Sequence, residues 1–557
     1  MVRRVLDIVY REVRGLHQAA YVLGLFAFGS QILALIRDRL LAHEFGAGAT
    51  LDIYYAAFRI PDLLYVLFAS TLSVYVLIPF VARAQKGGGD SAARRLLSSI
   101  FTLFLLAYSS VALVLFIATP VISVWLFPGV VDHELLNNVT RILLLQPLFL
   151  GVSSLFGVVT QLGHRFVLYA ISPLIYNIGI IFGIAVLYPI FGLVGVALGV
   201  VMGAVGHMLI QLPLVRQSTL SLSLVRNFDW VALRSILALS IPRALTLSFN
   251  QIVLLILVSF ASLMTVGSVS VFQFAYNLQS VPLAIIGVSY SVAAFPLLAQ
   301  LFAKGERNTF TLHILTALRH IMFWSIPISV LIIVLRAHVV RIVLGSGAFD
   351  WSDTRLTAAV LAVLVLGLLA HGINLLVIRA FYAGGYTRTP FYTALLGGFL
   401  AVASAYYFYA WYISHIEIQH TVSDMMRLSN VIGSEVIALA FGYTLAVIVQ
   451  AIVLLIMLQW TFSVRLAGLW QHFARCLLAA LFGGGATYVT LNFLVSGINP
   501  ETFVGIFLQG TISGLVGVVG VGLAYAGLQT PELYEIYNSF QRKLFRTDVV
   551  APQEDVL

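Results

Sequence analysis

About fourteen apolar stretches follow one another between Ala20 and Leu528, each close to or above the ~20 residues a helix needs to cross a bilayer. By residue number they run 20–44, 51–83, 97–121, 137–162, 167–189, 192–215, 232–263, 267–302, 309–336, 355–383, 390–414, 430–460, 467–493 and 502–528. Backbone amides inside hydrocarbon have no water to bond to, so runs of this kind fold as helices. Composition agrees: 61% of the 557 residues are hydrophobic and 10% are charged, with a mean hydropathy of +1.01. A soluble fold has no place to hide that much apolar surface. The pattern predicts an all-α polytopic membrane protein.

The opening pair of runs breaks its own pattern. Arg37, Asp38, Arg39, Glu44, Asp52, Arg59 and Asp62 all fall in stretches otherwise apolar enough to enter a membrane. A charge at membrane depth costs roughly 3 kcal/mol on insertion scales. Helices that only sit in lipid avoid that cost, so these charges point to a wet polar cavity between helices, and such a cavity points to transport.

Loop charges set the orientation. Arg83, Lys86, Arg94 and Arg95 surround the second connection, Arg165 the fourth, Arg216 and Arg226 the sixth, Lys304 and Arg307 the eighth, Arg388 the tenth and Arg465 the twelfth. Arg542, Lys543 and Arg546 lie in the tail. The positive-inside rule then places both termini in the cytoplasm. Arg336, Arg341 and Arg355 of the ninth connection are the exception. Residues 1–19 read as an amphipathic helix on the cytoplasmic membrane surface, and 529–557 as a cytoplasmic tail.

Other chemistry is thinly represented. The net charge of +9 is spread over short clusters between apolar runs, which does not describe a nucleic-acid surface. One cysteine, Cys476, excludes an internal disulfide framework. The 12 histidines form no HExxH, and no GxxxxGK[ST] loop is present, so neither a metal nor another cofactor is expected. Energy for transport would come from the membrane potential or an unidentified ion gradient.

The chain also repeats itself. DIYYAAFRIPDLLYVLFASTLSVYVLIPFVARAQKG, from Asp52 to Gly87, echoes SVFQFAYNLQSVPLAIIGVSYSVAAFPLLAQLFAKG, from Ser270 to Gly305, with Arg59 matching Asn277. Each copy starts on a span of the same direction, so the repeats are parallel. Six spans per copy give an N-lobe at 20–215 and a C-lobe at 232–460, with two further spans at 467–528. Two-lobed transporters hold their substrate between the repeats.

The run SQILALIRDRLLAHEFGAGATLDIYYAAFRIPDLLYVLFAS, from Ser30 to Ser70, resembles the first helical hairpin of the MurJ/MviN lipid II flippases. HRFVLYAISPLIYNIGII, from His164 to Ile181, the opening of the second repeat, and RAFYAGGYTRTP, from Arg379 to Pro390, are similar to the same family. The resemblance implies the fold of the MOP superfamily: two six-helix lobes in a V plus two C-terminal helices forming a groove for a lipid tail. It also implies a bacterial cytoplasmic (inner) membrane protein, monomeric, that moves undecaprenyl-diphosphate-linked peptidoglycan precursor outward. Arginines of spans 1, 2 and 8 are implied to receive the diphosphate. Arg37 stands at the family's RD pair and Arg59 before the family proline. Three further cavity arginines are replaced here, by Gln31, Tyr65 and Asn277.

On chemical grounds Arg37, Arg59 and Arg243 are the candidate cations for a lipid-linked anion, because a guanidinium stays charged and donates two parallel bonds to phosphate oxygens. Gln31 and Asn277, with Asn250, Gln251, Gln273 and Gln279, could donate neutral hydrogen bonds to sugar or phosphate. Asp38, Asp52 and Asp62 are candidates for gating or for ion pairs that merely pin the hairpin, such as Arg59 with Asp62 at i, i+3. Membrane lipids are the other expected partners. The replaced arginines leave open another polyprenyl-linked glycan or a small amphiphile as cargo. A membrane glycosyl- or phosphotransferase is the remaining alternative, disfavoured because no loop exceeds roughly twenty residues to hold an acceptor.

Overall fold

The computed structural model describes residues 16–535 and 538, apart from 73, 164, 500 and 501, and the side chains of 16–22, 70, 71, 74–76, 239, 242 and 243. The expected surface helix at 1–19 and the tail at 529–557 fall largely outside the described residues.

No strand occurs among the described residues. In chain order the helices are α1 Leu16–Phe45, α2 Ala49–Thr71, α3 Val74–Leu126, α4 His133–Leu143 and α5 Leu145–Leu162. Next come α6 Phe166–Phe191, α7 Leu193–Gln217, α8 Trp230–Ser262, α9 Ser268–Ala303, α10 Arg307–Val334, α11 Arg336–Val343, α12 Trp351–Leu366 and α13 Leu368–Ala383. The chain continues with α14 Arg388–Ser414, α15 Ile416–Met426, α16 Val436–Phe462, α17 Ala467–Leu494 and α18 Phe503–Gly527.

Each expected span coincides with one of these helices or a broken pair. Among the described residues eleven helices are long and apolar enough to cross a membrane, and the pair α12 and α13, bent by 42°, makes a twelfth. That count leaves out α1, the side chains of whose first residues, 16–22, are outside the described ones, and α2, whose Asp52, Arg59 and Asp62 depress its apolarity. The stretch Leu77–Leu126, by contrast, is one helix of 50 residues, about 75 Å at 1.5 Å per residue, more than twice the thickness of the hydrocarbon layer. It breaks at Gly88 and at Gly89, whose φ of 66° is a left-handed conformation that only glycine adopts freely. The two legs therefore belong to the second and third expected spans.

Contacts gather the chain into two units. The first comprises residues 1–277, 343–360 and 394–446. Its core is a leucine-rich cluster that includes Leu77, Leu97, Phe104, Leu144 and Phe156. Tyr108 is buried there because its hydroxyl has a partner, donating to the Leu144 carbonyl at 2.6 Å. Elsewhere in this unit α6 and α7 touch backbone to backbone. Gly179 and Gly183 face Gly199 and Gly203 so closely that a methyl on Gly183 would lie 2.8 Å from the Gly199 Cα. Lipid tails provide no hydrophobic drive between helices, so close approach through small residues supplies the contact energy. A π-helical turn at Gly183–Leu187 follows in α6.

The second unit comprises 278–342, 361–393 and 447–557. Here α17 and α18 meet through Gly483, where an added methyl would sit 2.7 Å from the Gly517 carbonyl. Tyr525 stacks on Phe323 at 4.3 Å and donates to its carbonyl at 2.8 Å. Gln279 donates to the Leu364 carbonyl at 2.5 Å, one turn before the bend between α12 and α13. The Leu364 carbonyl also accepts from Gly367 N at 2.9 Å, so the Gln279 amide adds a second bond at the bend.

Candidate functional site

Five of the eight candidate residues come together in the first unit. On α1, Arg37 donates from Nε and Nη2 to a single oxygen of Asp38, Oδ1, at 3.0 and 2.8 Å. Its Nη1 reaches Oδ1 of Asn177 on α6 at 3.4 Å. Asn177 is itself fixed by its amide nitrogen, which donates to Ser30 Oγ at 3.2 Å and to the Pro173 carbonyl at 3.1 Å.

The second oxygen of Asp38 accepts from Asn277 Nδ2 on α9 at 3.0 Å. Asn277 Oδ1 accepts from Gln273 Nε2 at 2.7 Å, and Gln273 Oε1 accepts from Arg59 Nη2 on α2 at 2.6 Å. Arg59 Nε donates to the Tyr55 carbonyl one turn earlier, at 3.2 Å. An unbroken series of hydrogen bonds therefore runs from Ser30 through Asn177, Arg37, Asp38, Asn277 and Gln273 to Arg59. Asp38 and Arg59 are buried, which is affordable only because each is bonded on several atoms.

Beside this series lies a cavity of about 190 Å³. Arg37, Arg59, Asp62, Gln273 and Asn277 give it polar walls, and Tyr54, Tyr55, Phe58 and Tyr176 give it aromatic ones. Asp62 accepts no hydrogen bond among the described residues. It forms no direct ion pair with Arg59, one turn before it on α2, though the charges of Arg59 and, more weakly, Arg37 act on it.

The other candidates lie elsewhere. Asp52, at the start of α2, has no arginine partner among the described residues. Its oxygens accept from the Gly267 and Ser270 amides at 2.6 and 2.8 Å and from Ser270 Oγ at 2.6 Å, so it caps the N-terminus of α9, where the helix dipole favours an anion. Gln31 does not line the cavity. Arg243 lies within α8, but its side chain is outside the described residues. The loop between α1 and α2 is fastened as well: Ala47 N donates to Asp353 Oδ2 at 3.0 Å and Ala348 N to the His43 carbonyl at 2.8 Å. Glu435, a lone carboxylate next to α16, accepts from Thr265 N and Oγ1 at 2.9 and 2.5 Å. Of the arginines of the ninth connection, Arg336 donates to the Ile333 carbonyl and Arg355 to carbonyls 427 and 429 just after α15. Cations at helix C-termini are stabilised there, which gives these residues a local role apart from orientation.

Sequence reasoning missed Asn177, Tyr54, Tyr55 and Tyr176. Only Asn177 carried a usable signal: an amide in an otherwise apolar run, four residues after a proline.

Comparison with known proteins places this geometry in context. A family profile described as lipid II flippase MurJ matches residues 41–508. A protein of Buchnera aphidicola subsp. Acyrthosiphon pisum (strain APS), named probable lipid II flippase MurJ, is 27% identical over 490 residues, covering 84% of this chain and 94% of its own. Among solved structures, one titled lipid II flippase MurJ, inward closed conformation, superposes with a TM-score of 0.72 at 22% identity, covering 91% of this chain and 99% of the other. An inward-facing multidrug resistance MATE transporter of the MOP superfamily gives 0.66 at 15% identity, covering 78% and 94%. These structural likenesses show the shared fold.

Proposed function

Because this chain belongs to the MurJ family of lipid II flippases, we propose that it carries lipid II, the undecaprenyl-diphosphate-linked peptidoglycan precursor, from the cytoplasmic to the outer leaflet of the bacterial inner membrane. It works as a transporter and not as an enzyme. The observation that carries this reading is the pair Arg37 and Arg59 on one polar cavity inside a membrane protein. An anionic, sugar-bearing head must cross a layer that repels it, and fixed guanidinium groups in a wet cavity offset its desolvation while the tail stays in lipid.

Alternating access follows from the repeat. Asp52 and Ser270 are 218 residues apart and occupy equivalent positions in the two copies, yet they bond to each other. A contact between counterparts lies near the axis that relates the copies. Parallel repeats are related by an axis along the membrane normal, and alternating access is a rocking of one repeat against the other. On this reading the lobes 20–215 and 232–460 are the moving bodies, and the bonds of Asp52, Asp38 and Arg59 to α9 are those that opening on that side must break. Both termini face the cytoplasm, the protein acts as a monomer, and the membrane potential, about 2.3 kcal/mol per charge per 100 mV, helps return the empty carrier.

Complementation tests the reading. In cells depleted of their own lipid II flippase, this chain should restore growth and outward precursor, and Arg37→Ala should abolish the rescue. Failure of the wild-type chain, expressed in the membrane, to restore either would remove lipid II as the cargo.

A further inference from the structure

Two arginines face the cavity, but its formal charges cancel. Arg37 is already held by both its Nε and Nη2 on Asp38, and Asp38 spends its other oxygen on Asn277. That carboxylate is buried and fully committed. Arg59 is held differently: its bonds go to a neutral amide and a carbonyl, Gln273 and Tyr55. The charge that balances it is Asp62, one helical turn away on α2, which lines the cavity and accepts no hydrogen bond among the described residues. Asp62 in turn acts on the phenols Tyr54, Tyr65 and Tyr176; α9 lines the cavity with the amides of Gln273 and Asn277, and its Tyr276 acts on Arg59. A half-buried carboxylate that accepts no bond from the described protein groups leans on the nearby cations for its charge balance.

Resting on the flippase reading above, we propose that Asp62 is the resident counter-charge of Arg59, which the substrate's diphosphate supplants by bonding Arg59 directly, so that Asp62 sets both the charge requirement for cargo and the ease of its release. With Asp62 opposite Arg59 the empty cavity is neutral and stable in the membrane. An entering diphosphate brings more negative charge and better acceptor geometry than one carboxylate, and takes Arg59 by accepting hydrogen bonds from the N–H groups that Gln273 and Tyr55 leave unused. Once bound, the head still feels the repulsion of Asp62, which keeps it from being trapped. A carrier must bind its cargo firmly enough to admit it and loosely enough to let it go. Asp62, and not Asp38, fills this role because Asp38 is tied to Arg37 by two bonds and to Asn277 by a third.

The test uses the full-length protein in detergent, with inorganic diphosphate and a short-chain lipid diphosphate as probes, and the same protein in liposomes for transport. Asp62→Asn should bind both probes about tenfold more tightly, as expected for removing one nearby like charge, and should flip fluorescent lipid II more slowly at saturating substrate. Asp62→Glu should restore both wild-type values. A sugar lacking phosphate should bind the wild type and Asp62→Asn equally. Unchanged or weaker diphosphate binding by Asp62→Asn, in protein that melts like the wild type, would overturn the proposal; should Asn impair folding, Asp62→Ser is held to the same outcomes. The binding arm needs no transport, so failure of the flippase reading appears separately, as wild-type liposomes that flip no lipid II.

Discussion

Asp52 offers the sharpest energetic prediction. Its carboxylate accepts three hydrogen bonds at the N-terminus of α9, from Gly267 N, Ser270 N and Ser270 Oγ, at 2.6, 2.8 and 2.6 Å. Bonds to an ionised group contribute about 1.5–3 kcal/mol each when truncation leaves the partner buried, and loss of an N-cap costs about 0.5–2 kcal/mol. These overlap, because the freed donors recover some bonding to water. We therefore assign Asp52→Ala a loss of about 3 kcal/mol from the state in which α2 touches α9, or about 100-fold in the equilibrium between that state and one where they part. Ser268 supplies a reporter: it is buried and its hydroxyl makes no hydrogen bond, so Ser268→Cys replaces it at little cost. In a Cys476→Ser background this thiol should react slowly with a membrane-impermeant maleimide when Asp52 is present. With Asp52→Ala the labelling rate should rise by one to two orders of magnitude, about 100-fold at most. Equal labelling rates, with an unchanged melting temperature, would refute the reasoning, since they would mean that these three bonds hold nothing shut.

Other substitutions test separate links. Gly199→Ala places a methyl 2.8 Å from both the Gly179 carbonyl oxygen and the Gly183 nitrogen; it should cost about 1–3 kcal/mol and lower the thermal midpoint in detergent, with Gly192→Ala as a poor control because of its left-handed φ and Gly485→Ala, which meets open space, as a good one. Asp38→Asn removes the charge that holds Arg37 and should destabilise by about 3 kcal/mol, read as a lower melting temperature together with lost transport. Tyr525→Phe loses one bond to the Phe323 carbonyl and should cost about 1 kcal/mol with transport intact, because it lies outside the cavity.

Much of the site was legible because charges in apolar helices are rare and costly. Arg37, Asp38, Arg59 and Asp62 announce themselves, and the internal repeat foretells that α2 and α9 are counterparts. What the sequence did not reveal is facing. Gln31 lies six residues before Arg37, which turns it about 120° round the helix and away from the cavity. The same offset separates Gln273, which lines the cavity, from Gln279, which faces the α12 bend; Asn277, four residues after Gln273, shares its face. Reading amides by type groups all of these together, whereas helical phase sorts them. Asp52 shows another limit. Sequence leaves it between gating and an ion pair, and its donors in the fold are amides of a helix terminus 215 residues away, a contact only the folded chain defines. Tyr54, Tyr55 and Tyr176 gave no signal because aromatic residues are common in membrane helices, and their convergence on one cavity is tertiary.

The central claim is that the cavity of Arg37 and Arg59 carries a lipid-linked diphosphate across the membrane. Its most direct measurement is the flipping of fluorescent lipid II in liposomes holding the purified chain, compared with Arg37→Ala at equal incorporation. The account predicts wild-type transport and its loss, at least about tenfold, in the variant, as expected when a charge-assisted phosphate contact is removed. Undiminished flipping by Arg37→Ala would contradict it.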